Sequence, residues 1–113
     1  VEATLKHAGG IIKRYSAAAA MDPGDVEVIG ERIGIVSGGK PIEIGDDYTL
    51  QTCDVFEMDA KSADEWSDGD VLYWDASERE LTDTAGSNVK AGLAVGDKAS
   101  GATRADCDVN KRQ

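Results

Sequence analysis

A chain of 113 residues is the size of one domain, and at that length roughly two-thirds of the unfolded surface can be buried without metal or disulfide staples. Asp and Glu outnumber Lys and Arg 22 to 12, and the resulting net charge of −10 sets the chain against phosphate backbones and anionic lipid; no nucleic acid and no membrane is expected as a partner. Hydrophobic residues make up 41%, yet only two Trp, three Tyr and one Phe are aromatic and 13 residues are Gly, so a sheet with a Val, Ile, Leu and Ala core and frequent tight turns is expected.

Residues 1–15 read as an extended arm. Ile11-Ile12-Lys13-Arg14-Tyr15 follows Gly9-Gly10, and Lys6, Lys13 and Arg14 give the arm a charge opposite to that of the body. Residues 16–113 read as a single β domain. The four alanines before Met21 could form one helical turn, but Pro23-Gly24 stops it, leaving a short turn or extended stretch. Pro23-Gly24-Asp25 is turn chemistry, and Val26-Glu27-Val28-Ile29 is β-branched with its charge on the alternate face. Gly30 separates that strand from Ile33-Gly34-Ile35-Val36, which predicts a hairpin or meander. Further strands are expected at Ile42–Ile44, Tyr48–Thr52 and Val55–Met58, and a loop or single helical turn over Ala60–Ser67. Asp68-Gly69-Asp70 repeats the earlier turn ahead of Val71-Leu72-Tyr73-Trp74. Gly24, Asp25, Gly69 and Asp70 are therefore structural turn residues, Gly for its access to positive φ and Asp for bonding backbone amides. Leu81–Thr84, Val89–Val95 and Thr103–Val109 supply the last strands, before a Lys111-Arg112-Gln113 tail.

Catalytic and cofactor chemistry find little support. The one histidine, His7, lies in the arm, away from any partner nucleophile in the apparent core. Asp68, Asp70, Asp75 and Glu78 do not match a calcium-loop spacing. Gly38-Gly39-Lys40 lacks the first glycine and the Ser or Thr of a phosphate loop. Asp97-Lys98-Ala99 resembles the lysine hairpin of lipoyl carrier domains, but only 15 residues follow Lys98, too few for the second half of such a carrier. Trp66 is a candidate for stacking on carbohydrate, whereas Trp74 lies in an apolar strand. No catalytic residue, metal ligand or cofactor is expected. Cys53 and Cys107 read as free thiols that could pair only if the fold brought them together. No apolar run approaches the roughly 20 residues of a membrane span and Val1-Glu2-Ala3-Thr4 lacks a signal-peptide pattern, so synthesis in the cytoplasm is expected.

The order of motifs resembles the capsid cement proteins of tailed phages, also called head decoration or head fibre proteins. The resemblance runs from Glu2-Ala3-Thr4 through Gly24–Gly30 with Ile33-Gly34-Ile35, then Gly69-Asp70-Val71-Leu72-Tyr73-Trp74-Asp75, Thr82–Thr84 and Gly92-Leu93-Ala94-Val95. It implies an all-β fold, a small β-barrel or β-sandwich, commonly a homotrimer, on the outer surface of the capsid of a phage virion. There it would lock major capsid protein subunits together. On that reading the arm faces the capsid, with Thr4, Lys6, Ile11, Ile12, Lys13 and Arg14 as contact residues. Val26, Val28, Ile35, Val71, Tyr73, Trp74, Leu93 and Val95 would form the core or trimer interface. A lipoyl-type carrier, an adhesion or carbohydrate-binding module, and a tail or spike component are the alternatives.

Overall fold

The computed structural model describes residues 10–111, so Thr4, Lys6, His7 and the end of the tail lie outside the described residues. Nine strands form among the described residues: β1 (Ile11–Arg14), β2 (Val26–Ile29), β3 (Arg32–Ser37), β4 (Tyr48–Gln51), β5 (Val55–Asp59), β6 (Val71–Asp75), β7 (Glu80–Thr82), β8 (Val89–Val95) and β9 (Arg104–Val109). There is no helix among the described residues; Ala18 and Ala19 form a bend and Ser62-Ala63 a turn. The fold is all-β, with a four-stranded sheet in the order β1-β4-β3-β2 and a five-stranded sheet in the order β5-β9-β8-β6-β7. The registered pairs are all antiparallel.

The chain divides into two compact units: residues up to Glu27 with Gly34–Thr52, and Val28–Ile33 with Cys53 onward. In the first unit Ile35, Val36 and Leu50 form the core with Val26, Ile42 and Ala17. Three β-branched residues of β2 and the run Ile33–Val36 of β3 supply the stiff side chains that favour a pleated strand.

In the second unit, alternation is clean. Along β5, β6 and β9 the residues Met58, Leu72, Trp74, Cys107 and Val109 are buried while their neighbours are half-buried or exposed. Leu81 and Ala94 complete that core. The sheet curls until its outer strands approach: Ala60 bridges Leu81 in parallel, and the Lys61 amide donates to the Leu81 carbonyl at 2.9 Å. One bridge is not a ladder, and the sheet does not close into a barrel. Asn110, in the left-handed conformation at φ 59°, fastens the tip of the β2–β3 hairpin: its carboxamide accepts from the Ile33 amide at 3.1 Å and donates to the Ile33 carbonyl at 2.7 Å.

One hydrogen-bonded turn occurs three times. In Asp22–Asp25, Glu43–Asp46 and Ser67–Asp70 the fourth residue's amide donates to the first residue's carbonyl (3.0, 3.0 and 3.1 Å), and the aspartate Oδ2 accepts from the first residue's amide at 2.9 Å each time. The third residue is Gly at φ 94°, 91° and 87°, the left-handed geometry that a type II turn requires. Each turn also clips a distant buried residue. The Gly amide donates to the carbonyl of Val36, Ala17 or Ala94, and that residue's amide donates back to the aspartate carbonyl, all at 2.7–2.8 Å. The turn at Glu43–Asp46 replaces the strand expected over Ile42–Ile44. Only Ile42 pairs, as a bridge to Met21, and Ile44 in the turn is 73% exposed.

Gly92 lies opposite Val109 and Leu72, where the β6–β8 register shifts. A Cβ there would sit 2.0 Å from the Asp108 carbonyl oxygen, at φ 151°. Backbone cannot retreat as a side chain can, so Gly92→Ala is expected to destabilise by about 3 kcal/mol or more, read as a lower urea midpoint; a midpoint equal to wild type would show that the strands separate at little cost.

Candidate interaction surface

β1 is the outer strand of its sheet and pairs with β4 from Ile11↔Gln51 to Arg14↔Tyr48. Thr52 anchors its start: amide and hydroxyl both donate to the Gly10 carbonyl, at 2.8 and 2.7 Å. That bond fixes the alternation of the ladder, so Ile12 and Arg14 turn their backbone groups to β4 while Ile11 and Lys13 turn theirs to the open edge. The Lys13 side chain is exposed, opposite Thr49, and Ile11 and Ile12 are half-buried.

Arg14 is committed elsewhere. Its Nε lies 3.3 Å from Glu27 Oε2 on β2, and the Tyr48 hydroxyl donates to Glu27 Oε1 at 2.6 Å. Burial, aided by the Glu27 hydrogen bond, pushes the Tyr48 phenol above its ordinary value, so it remains a donor. Beside this trio, Tyr15 is 71% exposed at the rim of a depression of about 140 Å³ lined by Lys13, Arg14, Tyr15, Asp47, Tyr48 and Thr49. Tyr15 was not singled out by the sequence reading, although an aromatic ending a basic strand is the residue type that anchors protein contacts.

Of the other residues singled out, Val26, Ile35 and Trp74 are buried, Val71, Tyr73 and Leu93 are half-buried, and Val28 and Val95 are exposed. Gly24, Asp25, Gly69 and Asp70 sit in the first and third clipped turns. Among the described residues, no group of three or more His, Cys, Asp or Glu side chains is gathered to hold a metal.

A family described as phage cement protein matches residues 7–109. The chain belongs to the phage cement protein family. This is a family of structural virion proteins, and the membership associates the chain with a phage capsid. No curated protein matches, and no solved structure matches.

The two residues that suggested other classes have structural positions in this cement protein. Lys98 is buried, and its Nζ donates to the carbonyls of Ser62 (3.4 Å), Asp64 and Ala99 (3.3 Å) while lying 5.2 Å from the centre of the Trp66 ring. A carrier lysine has to be presented at an exposed hairpin tip, whereas this ammonium is enclosed. Trp66 is only 6% exposed and offers no open face to a sugar. Cys53 and Cys107 are not joined to each other in a disulfide; burial, with Asp108 beside it, pushes the Cys107 thiol up to about 12, which keeps it protonated and unreactive.

Lys98 belongs to a network that fastens residues 61–66 to β7. The Asp64 carboxylate accepts from the Thr82 hydroxyl at 2.6 Å and the Asp83 amide at 3.2 Å. These bonds outweigh partial burial and hold the Asp64 carboxyl below its usual range, while burial and the neighbouring Asp64 raise that of Asp83. A raised folded value means that the Asp83 contribution is fully present in acid and lost as pH rises. Asp83→Asn is therefore expected to raise the thermal midpoint at about pH 7 and leave it unchanged at about pH 3, where the wild-type carboxyl is protonated. Lys98→Met fills the same volume but strands the carbonyls of Ser62, Asp64 and Ala99, with an expected loss of about 2–3 kcal/mol in urea denaturation; an unchanged midpoint would remove Lys98 from the network.

Proposed function

We propose that this cement protein binds the outer surface of a phage head and stabilises the contacts between major capsid protein subunits, acting as a homotrimer. The observation that carries the reading is the family match, which spans all nine strands. Three copies touching three capsid subunits turn each later contact into an intramolecular event, so weak single contacts suffice.

The open edge of β1 is the surface best suited to the capsid. Ile11 and Lys13 present backbone donors and acceptors there, Lys13 adds an exposed cation, and Tyr15 an exposed ring, the elements by which an edge accepts an extended segment of a partner. Of the six arm residues singled out, Lys13 and Ile11 retain this role most directly, while Arg14 contributes through its hold on Glu27. Of the acidic stretches at 43–47 and 57–70, residues 57–59 belong to β5; 43–47 and 61–70 would face solvent and keep virions apart. The protein would be made in the host cytoplasm and reside on the virion.

Co-sedimentation with undecorated heads, with light scattering of the free protein, tests the reading. Saturable binding by a trimer is expected; a monomer that never sediments with heads would overturn it. Lys13→Pro removes an outward-facing amide without breaking a β1–β4 bond, and is expected to weaken occupancy by about tenfold or more, whereas Lys13→Thr, which keeps the amide, weakens it less. Wild-type binding by a folded Lys13→Pro protein would discard the β1 edge.

A further inference from the structure

A protein that ties two neighbours together needs a second surface, and the outward face of β5, β9 and β8 has the properties of one. Cross-strand register places Val55, Asp108, Leu93 and Val71 in one row across four strands, and Glu57, Asp106 and Val95 in the next. Val55 is 52% and Val95 41% exposed, and Leu93 and Val71 are half-buried. Asp108 stands between Val55 and Leu93 and Asp106 between Glu57 and Val95, so β9 sets carboxylates within the aliphatic rows. Glu57 and Asp59 flank them, Arg104 bonds Glu57 Oε1 at 3.2 Å and Asp59 Oδ1 at 2.7 Å, and the exposed Lys90 of β8 lies opposite Tyr73.

Two features of this face disfavour the isolated fold. Glu57 and Asp106 are directly opposite, and like charges in that relation destabilise a sheet. Valines at outward positions leave apolar area in water where Thr or Lys would serve the strand as well. Both become favourable against a surface that sets basic groups among aliphatic ones, so that each carboxylate of β9 meets a cation while the valines on either side are covered.

We propose that the β5–β9–β8 face docks a basic, aliphatic protein surface on the phage head, distinct from the surface engaged by β1. The inference rests on the head-binding reading above. A second copy of this chain fits the face poorly, because its net charge of −10 opposes four carboxylates, and a phosphate backbone fits it no better.

Asp106→Lys tests this with two readouts of opposite sign. Placed opposite Glu57, the lysine relieves the like-charge pair, so the thermal midpoint is expected to rise; head binding by co-sedimentation is expected to fall about tenfold, more steeply at low salt. Glu31→Lys makes the same charge change at the exposed hairpin tip and is expected to leave binding within about twofold, while Val55→Ser is expected to weaken it several-fold without lowering the midpoint. Wild type that binds while Asp106→Lys binds equally overturns the docking face alone, as does equal weakening by Glu31→Lys. Wild type that never binds heads overturns the head-binding reading and this inference together. Loss of a wild-type oligomer in Asp106→Lys would assign the face to a second copy and overturn the proposed partner.

Discussion

The clipped Gly-Asp turn is the constraint on which the strand arrangement depends. A type II turn needs a residue at positive φ, which Gly supplies at no steric cost, and the following aspartate closes the turn through its side chain. The turn then offers one amide and one carbonyl to a single distant residue. In the first unit this joins Asp22–Asp25 to Val36 on β3 and Glu43–Asp46 to Ala17; in the second it joins Ser67–Asp70 to Ala94 on β8. Each clip satisfies the backbone of a buried residue at a place where a ladder would otherwise end, and so determines where the neighbouring strand begins.

The all-β class and the strand positions were largely legible because alternation and β-branching are local properties. Val71–Asp75 announces a half-buried strand by its own sequence, and the Gly-Asp pairs at 24–25 and 69–70 announce their turns. The pair at 45–46 was masked: Asp47 follows it in place of a valine, and Ile42 and Ile44 imitate strand alternation across a turn. Nothing local reports that Val36, Ala17 and Ala94 complete the clips, because those bonds use backbone groups that every residue carries.

The candidate surface was legible in outline and not in detail. A basic run on an acidic chain marks β1, but the division of labour between Lys13 and Arg14 depends on Glu27 and Tyr48, brought in from β2 and β4. Lys98 is the sharper case. In sequence it sits in Gly96-Asp97-Lys98-Ala99-Ser100, a polar turn that reads as exposed, yet its ammonium is enclosed by carbonyls more than thirty positions away and by its own neighbour Ala99. A buried charge held by backbone carbonyls leaves no side-chain signature to find. The acidic outward face was likewise invisible, since Glu57 and Asp106 become neighbours only through the pairing of β5 with β9.

That pairing also governs the order in which the molecule can be assembled. β9 lies between β5 and β8 although it follows both along the chain. As the polypeptide is synthesised, β5 therefore waits without its ladder partner and β8 with one side unpaired until the last described strand arrives to fill the gap. Until then the second unit has unpaired strand edges on β5 and β8 and no complete sheet, and a nascent chain in that state is vulnerable to pairing with its neighbours on the same polysome. The dense negative charge along β5 and in residues 61–70 provides mutual repulsion between such chains during that interval.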